Sequence, residues 1–158
     1  MLFSYPALFR PDNTGRVAVS FPDFPEAHTD GKDGREATEE AIDCLGSAIA
    51  FRIAGREEIP VPSTPKRGQR LIPAPLWIAG KLGLYLAMKE LRINNSELAR
   101  RLGVRETVVR RMLDPDHDTK AEKLQAAYSR CSSYCRSSVT GLHRIQNHIA
   151  AKILTSDT

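Results

Sequence analysis

The 158-residue chain carries 23 Lys+Arg against 19 Asp+Glu, a formal net charge of +4, with 41% apolar and 27% charged residues, a balance that argues against wholesale disorder. No apolar run approaches the roughly 18–20 residues needed to span a bilayer, and MLFSYPALFRPD lacks a basic segment followed by a sustained apolar stretch. Cys44, Cys131 and Cys135 are an odd count without disulfide or zinc spacing, so the expectation is a cytoplasmic protein with no metal, no cofactor and no membrane partner.

The first third reads as strands followed by a helix. Leu2 to Phe9 is rich in aromatic and aliphatic residues, PDNTG supplies turn chemistry, and RVAVSF alternates Val17, Val19 and Phe21 with Arg16, Ala18 and Ser20. A β-hairpin over residues 3–22 is predicted. Residues 22–31 hold two prolines, which predicts an irregular crossing with at most a short edge strand near Glu26–Asp30.

A helix is predicted from Gly34, where Glu36, Glu39 and Glu40 suit the positive end of its dipole. Ala37, Ala41, Cys44/Leu45, Ala48 and Phe51/Arg52 recur at helical spacing and form the expected packing face. Gly55 is the expected stop, and Pro60 and Pro62 forbid continuation. The result is a β-β-β-α unit over residues 1–63.

Residues 64–75 read as a proline-rich basic linker with Lys66, Arg67 and Arg70, and a short strand at Gln69–Ile72. From Leu76 the pattern is helical, with Leu82, Leu86 and Leu91 on one side and Lys81, Lys89, Glu90 and Arg92 largely elsewhere. Three helical segments over 76–113 are separated by Arg92–Asn95 and Leu102–Arg105. A further helix is predicted at 119–129.

Division at Pro65 separates the charge. Residues 1–65 carry 6 basic and 11 acidic side chains, and residues 66–158 carry 17 basic and 8 acidic ones. Opposite signs imply different partners, a polyanion for the basic part and a basic protein surface for the acidic part.

The strongest local signal is NSELARRLGVRETVVRRMLD, residues 95–114. Ser96 is the expected helix cap, Ala99 is small where two helices cross, and Gly103 suits a sharp turn needing positive φ. Leu98, Leu102, Val104, Val109 and Met112 are the expected inward positions. This is the spacing of a helix-turn-helix with Arg105–Leu113 as recognition helix, within a module at 76–127. Arg105, Glu106, Thr107, Arg110 and Arg111 then face outward. Arginine binds guanine bidentately and threonine contacts phosphate or a thymine methyl, while Glu106 either meets cytosine or orients an arginine. Arg92, Arg100 and Arg101 are expected to serve backbone phosphates.

Several of these segments carry a resemblance. FPDFPEA at Phe21–Ala27, the Thr29–Gly31 step, the helix pattern EATEEAIDCL from Glu36 and the ending IPVPS at Ile59–Ser63 resemble the HicB antitoxin family. Residues from Leu71 through Ala127 look like its helix-turn-helix subclass. The resemblance implies an α+β chain whose N-terminal domain is a partial ribonuclease-H-like fold without a working catalytic centre. It also implies a HicA-type toxin partner, an mRNA-cleaving ribonuclease, together with binding and repression of the operon's own operator DNA. The toxin contact is expected at the sheet edge and the loop Phe21–Ala27, with Phe21, Asp23, Phe24 and Glu26 as candidates. A single recognition helix covers few base pairs, so a homodimer or higher homo-oligomer on a palindromic operator is expected. The alternative reading is a helix-turn-helix regulator whose first domain senses a small ligand or another protein.

Enzymatic chemistry finds little support. Two-metal hydrolysis needs converging carboxylates, whereas Asp12, Asp23, Glu26, Asp30 and Asp33 fall mostly in predicted turns. Cys44 sits on a packing face, His28 and His117 lie in predicted loops, and His143 and His148 are five apart rather than four. The segment 128–158, YSRCSSYCRSSVTGLHRIQNHIAAKILTSDT, departs from the family pattern and reads as a shifted frame or fused segment, expected to be mobile towards its end.

Overall fold

A computed structural model of the chain describes residues 3–132. Strands β1 (Ser4–Pro11) and β2 (Val17–Phe21) form the expected hairpin, with Leu8 opposite Ser20 and Pro11 opposite Val17. Asp12 organises its turn: Oδ1 accepts from the Thr14 N–H at 2.8 Å and the Arg16 N–H at 2.9 Å, and Gly15 takes φ 83°.

The next strand corrects the expectation of a short, irregular crossing. β3 runs for eight residues, Phe24–Gly31, and pairs antiparallel with β2 from Phe21↔Phe24 to Val17↔Gly31. Pro25 has no N–H to give the ladder, but β3 is an edge strand in the order β3-β2-β1-β4, so Pro25 is tolerated on its exposed side. An irregularity at Ser20/Phe21 absorbs the tight connection.

Helix α1 (Gly34–Gly55) begins at Asp33, whose side chain accepts from the Arg35 and Glu36 N–H groups, both at 2.9 Å. Ala37, Ala41, Leu45, Ala48, Ile49 and Ile53 are buried against the sheet. The small residues let the helix approach β3 closely: a Cβ on Gly31 would lie 2.2 Å from the Ala37 nitrogen. Phe51 is 67% exposed and does not share this face as expected, because it lies to one side of the Ile49–Ile53 stripe. The left-handed residue ending the helix is Arg56, one beyond the expected Gly55.

β4 (Gln69–Pro73) comes from the proline-rich stretch and pairs antiparallel with β1, Ser4 opposite Pro73 and Leu8 opposite Gln69. The core of sheet and α1 contains Tyr5, Phe21, Phe24, Leu45, Ile49 and Ile72. Helix α2 (Leu76–Glu90) adds Ile78, Leu82 and Tyr85 to it. Its Leu84, Ala87 and Met88 belong to a second core, shared with α3 (Asn95–Leu102), α4 (Glu106–Leu113) and α5 (Ala121–Ser132) through Leu98, Val109, Met112, Leu124 and Ala127. Burying one large apolar side chain stabilises by roughly 1.5–3 kcal/mol. Removing α2 would therefore cost the sheet's core several such contributions, and α2 serves as a spine common to both cores.

Lys81 corrects its expected place away from the apolar side of α2. It is 4% exposed, and its ammonium donates to the carbonyls of Asp114 (2.6 Å), Pro115 (3.1 Å) and His117 (2.6 Å). Helix α5 carries the chain through Tyr128 to Ser132, and the remaining expectations for the C-terminal segment, including those on Cys135, His143 and His148, lie outside the described residues. Among the described residues, no helix is long and apolar enough to cross a membrane.

Candidate functional site

Two short helices joined by a glycine turn form the candidate interface. Asn94, rather than Ser96, caps α3: its extended backbone (φ −100°, ψ 178°) lets Oδ1 accept from the Glu97 N–H at 2.9 Å. Gly103 closes α3 at φ 68°, and the Val104 N–H returns to the Ala99 carbonyl at 3.0 Å. Leu98, Ala99, Val109 and Met112 are buried as expected and Leu102 is half-buried, but Val104 is 38% exposed. Its place just past the αL turn directs it away from the crossing of the helices.

Ser96 has a different role from the expected cap. Its hydroxyl donates to Glu106 Oε2 at 3.1 Å, while Arg110 Nη2 donates to Glu106 Oε1 at 2.8 Å. The hydrogen bonds from Arg110 and Ser96, with the nearby charges of Arg110 and Arg56, hold the Glu106 carboxyl below the usual range. Glu106 thus orients an arginine and fastens the start of α3 to α4.

Arg105, at the N-cap of α4, and Thr107, Arg110 and Arg111 are exposed, while Val109 is fully buried behind them. Arg100 and Arg101 both bind Glu97: Arg100 through Nε at 2.9 Å and Nη2 at 2.8 Å, Arg101 through Nε at 2.7 Å. These bonds push the Glu97 pKa down to about 2. The Arg101 side chain is largely buried and Arg100 largely exposed, so the two expected phosphate contacts differ in reach.

At the other end of the molecule, Phe21 and Phe24 are core residues, 2% and 0% exposed. Phe24 packs edge-on to Tyr5 with centroids 4.9 Å apart, and the Arg52 guanidinium lies 4.9 Å from its ring centroid. Any contact with a partner here falls to their exposed neighbours. Asp23 Oδ2 accepts from the Ser63 N–H at 3.0 Å, and Glu26 holds Arg52 bidentately at 2.6 and 2.9 Å. The Arg52 hydrogen bonds draw the Glu26 carboxyl below its ordinary value.

The other carboxylates weighed for hydrolysis are similarly engaged, Asp12 in its turn, Asp30 with Arg16 and Asp33 as a cap. Among the described residues no group of three His, Cys, Asp or Glu side chains could hold a metal ion. Cys44 Sγ lies 3.6 Å from the His28 carbonyl, and burial raises its thiol pKa.

Sequence reasoning missed Arg56 and Lys89, which line a cleft with Arg92 and Arg110, and the carbonyl-holding role of Lys81. The signal for Lys81 was its position between Ile78 and Leu82 on an otherwise buried face. Arg56 carried no signal, because the cleft forms only when α1 meets the later helices.

An antiparallel sheet backed by one helix and continued by a helical module places the chain in the α+β class. A family described as HicB-like antitoxin of bacterial toxin–antitoxin system matches residues 4–82. Antitoxin HicB 2 of Photorhabdus laumondii is 42% identical over 123 residues, covering 78% of this chain and 86% of that protein. Antitoxin HicB of Escherichia coli is 37% identical over 123 residues, 78% of this chain and 89% of that one. The Pseudomonas fluorescens antitoxin HicB is 32% identical over 128 residues, 80% and 87%. The chain belongs to the HicB-like antitoxin family.

Proposed function

We propose that this antitoxin neutralises a HicA-type ribonuclease toxin through its acidic sheet module and represses its own operon by binding operator DNA through α3 and α4. The observation that carries the DNA half is the division of α4: Val109 and Met112 are buried while Arg105, Thr107, Arg110 and Arg111 are presented outward. A helix-turn-helix needs this arrangement, with an apolar seam holding the recognition helix and donors presented outward to base edges and phosphates. Glu106, the one acid on the outer face, is occupied by Arg110 and Ser96 and so repels phosphate less than an isolated carboxylate.

The toxin half is supported by the excess of acids in residues 1–65 and by the exposed edge β3, whose Glu26 and His28 face solvent. Edge strands accept partner strands through their unpaired backbone groups. The engagement of Asp12, Asp23, Glu26, Asp30 and Asp33 in turns, caps and ion pairs supports an action by occlusion, without chemistry of its own. Assembly as a homodimer or higher homo-oligomer would present two copies of α4 to a palindromic site.

The DNA half is tested by fluorescence anisotropy of the full chain on the duplex upstream of its own gene and on an unrelated duplex. Tighter binding to the upstream duplex, falling steeply as salt is raised, is expected. Equal affinity for both duplexes would remove the operator reading.

A further inference from the structure

Helices α1 and α2 end in the same way. Behind α1 the Glu57 N–H returns to the Arg52 carbonyl at 2.8 Å, and behind α2 the Ile93 N–H returns to the Met88 carbonyl at 3.0 Å. The left-handed residue inside each turn is an arginine, Arg56 at φ 58° and Arg92 at φ 53°. Among the described residues these are the two non-glycine residues with positive φ. Glycine is the default at such a position because a Cβ is disfavoured there. The fold therefore keeps a charged side chain twice where its backbone would favour none.

Both arginines line one cleft of about 810 Å³ between the end of α1, α2 and the starts of α3 and α4. Lys89 and Arg110 line it as well, so four cations face two acids, Glu106 and Asp114. Two of the four are occupied: Lys89 Nζ donates to the Arg56 carbonyl at 3.1 Å, and Arg110 binds Glu106. Arg56 and Arg92 are exposed; the Arg56 charge lies near enough to Glu106 to help lower its carboxyl, but among the described residues neither guanidinium makes a hydrogen bond or a close ion pair. The Ser96–Glu106 hydrogen bond places the start of α3 on the cleft wall, and Arg110 connects that wall to the outer face of α4.

We propose that Arg56 and Arg92 grip the sugar–phosphate backbone beside the groove that receives α4, so that the sheet module itself supplies a DNA contact. The inference rests on the reading of α4 as the DNA-binding helix. Guanidinium forks match phosphate oxygens in geometry and charge. Continuity of the cleft with Arg110 favours DNA over an acidic protein surface as its occupant.

A cation near a helix C-terminus also interacts favourably with the helix dipole, so the test must separate that role from binding. Glycine does so, because it suits the left-handed turn better than arginine and leaves the fold intact. Full-length Arg56→Gly, Arg92→Gly and Arg56→Lys proteins are compared with the unaltered chain and Arg111→Ala. Each is titrated onto the upstream duplex and an unrelated duplex across a salt series. Arg56→Gly and Arg92→Gly should keep their thermal midpoints. The slope of log affinity against log salt should become shallower by about 1 for each phosphate that is no longer gripped. The weakening should be equal on both duplexes, and Arg56→Lys should restore most of the slope.

An unchanged slope for Arg56→Gly, while Arg111→Ala weakens operator binding, overturns this inference and leaves the reading of α4 standing. If the unaltered chain binds no DNA, both fall together. An Arg56→Gly protein with normal DNA binding but altered oligomeric state or abolished toxin neutralisation would assign the cleft to a protein partner and also overturn the inference.

Discussion

Replacing Lys81 with methionine keeps the buried stem of the side chain and removes the ammonium that holds the segment after α4. In the wild type that group donates to the carbonyls of Asp114, Pro115 and His117 at 2.6, 3.1 and 2.6 Å. Hydrogen bonds from a charged donor stabilise by roughly 1.5–3 kcal/mol each, which by itself would make the substitution very costly. Two effects oppose that figure. Lys81 is 4% exposed, and removing its ammonium from water costs several kcal/mol that methionine does not incur. Burial lowers the Lys81 pKa despite the opposing pull of Asp114, Asp116 and Asp118, so desolvation exceeds the attraction of these charges. The carbonyls also lie in an exposed turn where water can replace part of the missing bonding. A net destabilisation of about 2 kcal/mol follows.

Urea unfolding followed by circular dichroism measures it, with the midpoint lowered and the slope unchanged. Amide exchange should accelerate first in residues 114–119. Because folding lowers the Lys81 pKa, the unfolded chain binds more protons just below the ordinary lysine range. The wild type should therefore gain stability relative to Lys81→Met as pH rises through that interval. An unfolding midpoint within error of wild type, with unaltered exchange in 114–119, would show that the Lys81 ammonium does not hold this segment.

Gly31→Ala places a Cβ 2.2 Å from the Ala37 nitrogen, against backbone that cannot yield cheaply, and should cost roughly 1–3 kcal/mol or more, read as a lowered thermal midpoint. Glu97 has its pKa depressed to about 2, so its contribution to stability is complete above the ordinary carboxylate range and fades as pH falls towards 2. Acid titration of unfolding should show that fading in the wild type and its absence in Glu97→Gln. Arg111→Ala should weaken operator binding by roughly 1–3 kcal/mol if the residue reads a base, and should reduce the preference over an unrelated duplex in the same anisotropy assay.

The parts legible in the sequence were those whose signals are local. Alternation at Val17, Val19 and Phe21, with PDNTG before them, located the β1–β2 hairpin, and the spacing of Ala99, Gly103 and Val109 located α3 and α4. The errors arose where distant parts of the chain decide. Pro25 argues against a strand until β3 is known to lie at an edge, where its missing N–H costs little. Asn94 and Ser96 are equally good caps by type, and the extended backbone at Asn94 selects between them. Lys81 finds its acceptors more than thirty residues later, and Phe21 and Phe24 are claimed by the core although their motif suggested a contact loop. The charge of the outer face of α4 was legible, but the engagement of Glu106 with Ser96 and Arg110 required the helices to be in place.

The proposed neutralisation of a ribonuclease toxin encoded beside this chain is measured by co-expressing the full chain with the neighbouring open reading frame and following growth and mRNA integrity. Because α2 belongs to both cores, point variants such as Arg111→Ala serve better than truncation for separating the two roles. The neighbour alone should arrest growth and cleave mRNA, and the antitoxin and its Arg111→Ala variant should both restore growth. Arrest that persists in the presence of the folded, unaltered chain would exclude neutralisation of that neighbour.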